Sequence, residues 1–243
     1  MKKFLMQPQQ IMEVVNFATW ADREARSDLV IGHISGENDY TSNFTGALRR
    51  MINSYSQTGL RASSFVLNNA SEQKLGCDAA IVLQSNKECK IGLFEAKWPR
   101  ITKPHYGWDG TQTSKGLSHF TDQLDRQAIA LKKFPFAIFE MFYCEADFGK
   151  QPSFMMSDGS TCVWHEEAVS FNDGRPNREA IWDNVDLKSF FKPTKKAIGE
   201  ILAEICFCNK GKPLGFFDVE DMRQEFSLPN NILLIEGGTD LEE

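Results

Sequence analysis

The chain lacks most of the features that would assign a function quickly. It has no uninterrupted apolar run near the roughly 18 residues that a membrane-spanning helix needs. The longest stretches, around Phe136 to Phe139 and Ile232 to Ile235, are a fraction of that length. No internal repeat and no Gly/Ser/Pro-rich linker divides it, so one domain is expected over residues 1–243. Cys206-Phe207-Cys208 has no companion Cys or His pair at ligand spacing, which excludes a structural zinc site. His33, His105, His119 and His165 show no metalloprotease or triad spacing, and no Ser or Cys nucleophile motif is present. Positive charge is also short: 27 Lys and Arg against 33 Asp and Glu leave a net charge of −6. That balance excludes a broad, non-specific nucleic-acid-binding surface.

What is present is globular composition, 243 residues with 42% hydrophobic and 25% charged. This excludes disordered, collagen-like and disulfide-scaffold classes. Met1-Lys2-Lys3-Phe4-Leu5-Met6 imitates the start of a signal peptide, but Gln7, Pro8, Gln9 and Gln10 cut the apolar run short, so a cytoplasmic location is expected. The six cysteines are scattered, and reduced thiols are the expectation. The charge is unevenly spread. Residues 216–243 hold eight acids and one base, a net of −7, leaving the rest of the chain about neutral. Lys97 to Lys133 carries seven bases against three acids, a locally basic region in an acidic chain.

Hydrophobic periodicity predicts two opening amphipathic helices, one through Ile11, Val14, Val15, Ala18 and Ala21. The other runs through Phe44 to Tyr55 after a capping cluster of Asp39, Thr41 and Ser42. Strands are expected at Ser64 to Leu67, Cys77 to Leu83, Cys89 to Lys97, Phe136 to Cys144 and Thr161 to Trp164. Further helices are expected at Leu117 to Lys133 and Leu187 to Cys206. The order implies an α/β fold with a central mixed β-sheet flanked by helices. The segment 216–243 reads as a frayed, solvated acidic end.

The chemistry concentrates in two apolar strands, Gly76-Cys77-Asp78-Ala79-Ala80-Ile81-Val82 and Ile91-Gly92-Leu93-Phe94-Glu95-Ala96-Lys97. Alternation along a strand puts Glu95 and Lys97 on one face and Ala96 on the other. In a hairpin centred on Asn86 and Lys87, Asp78 falls opposite Glu95. Two carboxylates that close repel each other unless a cation lies between them, and a hard divalent metal such as Mg²⁺ suits oxygen ligands of this kind. Lys97 would orient or deprotonate a water, or offset negative charge on phosphorus. The plain alternative is a surface hairpin whose Glu95 and Lys97 form an exposed salt bridge.

Asp78, followed by Glu95-Ala96-Lys97 on a second apolar strand, resembles the PD-(D/E)XK nuclease superfamily, whose core is restriction-endonuclease-like. The resemblance covers about residues 37–144. It implies a third carboxylate on an earlier helical segment, for which Glu37 in Gly36-Glu37-Asn38-Asp39-Tyr40-Thr41 is chosen. Glu24, Asp28 and Asp39 are alternatives, and a solvated helix-capping acid is the plain reading of Glu37. It also implies metal ligation by Asp78, Glu95, Glu37 and the Ala96 carbonyl, with Mg²⁺ as cofactor and Mn²⁺ as substitute. Gln123 and Gln127, on one face of the following helix, resemble the Gln-rich helix of the RecB-like branch. Cys77 replaces the proline of the family name, and Gln127 stands where that branch has tyrosine, so the subfamily is unassigned.

The resemblance therefore implies a metal-dependent phosphodiester hydrolase acting on DNA ahead of RNA, in microbial or phage defence, restriction, repair or recombination. An RNA nuclease and a non-catalytic interaction protein of the same fold stay open. A homodimer would suit symmetric double-strand cleavage, but no interface is legible. The loop from Trp98 to Lys115 interleaves aromatics with bases. Arg100, Lys103, His105 and Lys115, together with Gln123 and Gln127, are candidate nucleic-acid contacts. The alternative is a lid whose aromatics pack on the sheet. The acidic end, if it mimics nucleic acid, would restrain the basic region.

Overall fold

The computed structural model describes residues 4–66, 75–100, 108–110, 116–143, 159–216 and 218–237. Two long helices open the chain. Helix α1 (Pro8–Val30) starts with proline in its first turn, where no backbone N–H is needed. It buries Ile11, Val14, Ala18, Ala21, Ala25 and Leu29 at three- and four-residue spacing. Helix α2 (Glu37–Tyr55) begins earlier than its sequence pattern implies. Gly36 is its N-cap, and the Asp39, Thr41 and Ser42 cluster lies inside the first turns.

Among the described residues, seven strands form one mixed sheet: β1 (Arg61–Val66), β2 (Ala79–Gln84), β3 (Glu88–Lys97), β4 (Ala137–Phe142), β5 (Thr161–Trp164), β6 (Leu214–Gly215) and β7 (Asn231–Glu236). The lateral order is β1-β7-β2-β3-β4-β5, with β6 pairing the start of β3. β2 and β7 are parallel, as are β3 and β4, whereas β1–β7, β2–β3 and β4–β5 are antiparallel. This bears out the α/β class with a mixed sheet.

The remaining described helices are α3 (His119–Lys133), α4 (His165–Asp173), α5 (Asn184–Thr194), α6 (Ile198–Cys206) and α7 (Val219–Phe226). α1, α2 and α6 pack with the sheet face carrying Ala79, Ile81, Phe94, Phe139 and Leu233. α3 and α7 pack with the opposite face, which carries Ala80, Val82, Leu93, Ile138 and Ile232. A third cluster joins Phe120 and Leu124 of α3 to Phe142, Ala168, Trp182 and Phe190. Strands buried on both faces explain the near-continuous apolar runs in β2, β3 and β4.

Two expectations are corrected. The single helix expected over Leu187 to Cys206 is two helices: α5 runs one residue past Pro193, and the backbone turns out of the helix at Lys195 (φ −57°, ψ 126°) before α6 begins. The freed backbone of Lys196 instead exchanges hydrogen bonds with Cys162, at 2.9 and 2.8 Å. The acidic end is not frayed through its described part: β7 lies between β1 and β2, and Ile232, Leu233, Leu234 and Ile235 are all buried. The sheet thus draws on residues well beyond 144. The five described cysteines are free.

Candidate active site

The end of β3 and the residue just before β2 build the site. Lys97 and Glu95 project from β3 on the face shared with Leu93, while Ala96 joins the opposite core. β2 and β3 pair with Ala79 opposite Phe94, the register read from the sequence. The ladder begins at Ala79, so Asp78 stands one residue outside it. Its amide donates to the Phe94 carbonyl at 2.9 Å, and its Oδ2 accepts the Ala96 N–H at 2.8 Å. What Ala96 brings to Asp78 is therefore its amide.

Glu95 is 2% exposed and Lys97 6%. Lys97 Nζ donates to Glu95 Oε1 at 2.5 Å, and Gln123 Nε2 donates to the same oxygen. This is a buried pair within β3, which overturns the reading of an exposed salt bridge at the end of the hairpin. Burial pushes the Glu95 carboxyl well above the usual range; Lys97 opposes this, while Asp78 and Glu140 add to it. Burial alone would lower the Lys97 ammonium, but Glu95, Glu37 and Asp78 outweigh it and raise its pKa above the usual lysine value. Lys97 is a cation and donor beside these acids, not a base.

Helix α3 closes the site from the side. Ser118 caps it, accepting the Thr121 N–H at 2.9 Å, and Gln123 and Gln127 turn toward the sheet one turn apart. Gln123 reaches Glu95, but Gln127 lies deeper and is fully buried. Its amide donates to the Gly76 carbonyl at 2.7 Å and to Glu140 at 3.4 Å, and its oxygen meets His165 Nδ1 at 2.7 Å. Glu140 pairs in register with Glu95 across β3 and β4. Gln127 is thus no nucleic-acid contact; it braces the turn leading to Asp78. That turn needs glycine, since Gly76 has φ +68° and a Cβ there would lie 2.8 Å from the Gln123 carbonyl oxygen.

Glu37 enters from α2, as its first residue rather than ahead of it. Its Oε1 accepts the Trp98 N–H at 2.8 Å, and its carbonyl accepts the Tyr143 hydroxyl at 2.9 Å. Tyr143 stacks on Tyr40 with centroids 3.8 Å apart, tying α2 to the end of β4.

A cleft of about 430 Å³ brings together Glu37, Asp78, Glu95, Lys97, Arg100 and Gln123 from the sequence reading. Of the alternative acids, Glu24, Asp28 and Asp39 do not line it. The Arg100 guanidinium lies 4.1 Å from the centre of the Trp98 ring. Lys103, His105 and Lys115 lie outside the described residues. Trp108 packs against Phe120 and Phe142, and Asp109 accepts the Phe120 and Trp182 amides at 2.8 Å each. The described part of the loop is therefore anchored, as the lid reading expects, while Trp108 still lines the cleft.

His119, also in the lining, escaped the sequence reading. It stands one turn before Gln123 on the same stripe of α3, and that spacing was the available signal. Burial, with Lys97 and Arg126, holds its pKa below the usual value, so it stays neutral. Four lining residues carry buried polar atoms with no partner among the described residues: Trp98 Nε1, Trp108 Nε1, His119 Nδ1 and Gln123 Oε1. Protein interiors leave few such groups, and four of them gather in this cleft.

The carboxylate oxygens of Asp78 and Glu95 are the donor type that a hard divalent cation takes. Among the described residues, however, no three His, Cys, Asp or Glu side chains stand close enough to hold a metal. Glu37 is tied to the Trp98 amide instead. No protein-family model, curated protein or solved structure matches the chain.

Proposed function

We propose that this chain is a Mg²⁺-dependent nuclease with a PD-(D/E)XK-like core, hydrolysing phosphodiester bonds in DNA. The observation that carries the reading is the meeting of Asp78, Glu95 and Lys97 at the end of one apolar hairpin, in a polar cleft. Asp78 and Glu95 would hold the metal, with Glu37 and the Ala96 carbonyl as further ligands by resemblance. When bound, Mg²⁺ or Mn²⁺ lowers the pKa of a bound water and draws charge from the phosphate.

The chain's own residues supply the rest. Lys97, held protonated, orients the attacking water and offsets the charge that builds on the phosphate oxygens. Gln123 and Lys97 together fix Glu95 in one rotamer. Arg100, stacked on Trp98, presents a guanidinium to the next phosphate along the strand. The indole N–H groups of Trp98 and Trp108, without a partner among the described residues, offer hydrogen bonds to the substrate, and His119 Nδ1 donates or accepts one according to its tautomer.

The test is incubation of the purified chain with single- and double-stranded DNA and RNA, with Mg²⁺, Mn²⁺ or EDTA. Metal-dependent cleavage of DNA is expected. Cleavage of RNA alone would favour an RNA nuclease, and binding without cleavage would favour a non-catalytic interaction protein.

A further inference from the structure

A second groove, of about 280 Å³, lies between α2 and the edge strand β1. Ser42, Thr45, Arg49 and Arg50 line it from α2, with Ser64 from β1 and Asn231 from β7. No acid is among its described lining residues, in a chain whose net charge is −6. Among the described residues, neither Arg49 nor Arg50 makes an ion pair or hydrogen bond, and Arg49 Nε is buried without a partner. Two adjacent guanidiniums with no partner among the described residues, beside hydroxyls and an amide, leave strong donors without a charged acceptor. These side-chain types are the ones that hold phosphate oxygens.

The groove is also placed in relation to the cleft. α2 starts at Glu37, in the cleft, and Arg49 lies twelve residues further along the same helix. At 1.5 Å per residue that is about 18 Å. From the sheet side, Asn231 pairs with Ala79, the residue after Asp78. Both sites therefore lie at the same end of β2.

We infer that this groove holds backbone phosphates of the DNA strand whose scissile bond occupies the cleft, a few nucleotides from that bond. The ligand's identity rests on the nuclease reading; the anion-binding character rests on the two arginines. The groove gives an acidic chain a localised hold on its substrate and fixes the direction in which the strand leaves the active site.

The experiment measures binding of a 20-nucleotide single strand and a 20-base-pair duplex in EDTA, across a salt series. It compares wild type, Arg49→Ala/Arg50→Ala and Arg49→Lys/Arg50→Lys, with unfolding midpoints as the folding control. The alanine variant is expected to bind at least tenfold more weakly at an unchanged midpoint, with the log–log salt slope shallower by about one to two, at roughly 0.9 per duplex phosphate. The lysine variant should keep most of the slope. Wild-type affinity and slope in the alanine variant would overturn the inference, and continued metal-dependent cleavage by that variant would leave the nuclease reading standing. Arginine-dependent DNA binding by a wild type that cleaves nothing would keep the groove and remove the nuclease reading. Inorganic phosphate binding as tightly as the 20-mer, or no DNA binding at all by wild type, would also overturn it.

Discussion

Lys97 donates to Glu95 Oε1 across 2.5 Å, and both side chains are buried. Removing one partner of such a pair leaves an uncompensated buried charge, at a cost of roughly 3–5 kcal/mol. Lys97→Met should lower stability by that order. Adding Glu95→Gln should recover part of the loss, because the carboxylate that loses its bonded cation is then neutral, yet restore no cleavage. Urea unfolding of the two variants checks this; a wild-type midpoint for Lys97→Met would show that the pair is not buried as described.

The turn before Asp78 is held by Gly76 and Gln127, which are joined by a 2.7 Å hydrogen bond. Gly76→Ala places a Cβ against the Gln123 carbonyl at positive φ, and Gln127→Leu leaves the Gly76 carbonyl and His165 without their partner. Each should cost about 1–3 kcal/mol. Both should reduce cleavage while leaving the salt slope of DNA binding unchanged, since neither residue reaches the substrate. A shallower slope for Gln127→Leu would restore it as a nucleic-acid contact.

Much of this site was legible because strands have a strict two-residue period. The register that sets Ala79 opposite Phe94 follows from the hairpin centre, and the shared face of Glu95 and Lys97 follows from alternation. Depth was not legible. Gln123 and Gln127 share a helix face, but only packing decides that one touches Glu95 while the other is sealed behind it. β7 was hidden for another reason: Ile232 to Ile235 is a plain apolar run, but it sits among acids and pairs with β1 and β2, more than a hundred residues earlier. Charge counting there outweighed an apolar pattern that was present. Glu37 was legible as an acid near a helix start, but its bond to the Trp98 amide depends on how α2 meets the sheet.

The position of β7 changes what truncation should do. A chain ending at Pro229 loses four buried side chains, each contributing about 1.5–3 kcal/mol, against a total stability of about 5–15 kcal/mol for a typical domain. It should lose cooperative unfolding rather than gain DNA affinity. A folded truncated chain with tighter DNA binding would revive the idea that this segment restrains the basic region.

Acid stability should depend on Glu13, which ties α1 to the chain after α2. Burial raises its carboxyl, but hydrogen bonds from Ser56, the Gln57 amide and Thr58 outweigh burial and hold it below the ordinary 4.5. A lowered folded pKa contributes stability that is fully present above the ordinary value and is lost as pH falls through the folded one. Glu13→Gln should therefore be less stable than wild type at neutral pH, with the difference shrinking below pH 4.5. Thermal melts across pH check this; a difference that grows toward acid would reverse the sign.

The most direct test of the central claim is single-turnover cleavage of labelled DNA in Mg²⁺ and Mn²⁺ by wild type beside the doubly substituted Glu95→Gln/Lys97→Met chain, at matched folded fractions. Metal-dependent cleavage by wild type is expected, with a loss of at least a thousandfold in the variant, roughly 4 kcal/mol at tenfold per 1.36 kcal/mol. Equal cleavage by the two chains, or none by wild type with either metal, would contradict a nuclease centre at Asp78, Glu95 and Lys97.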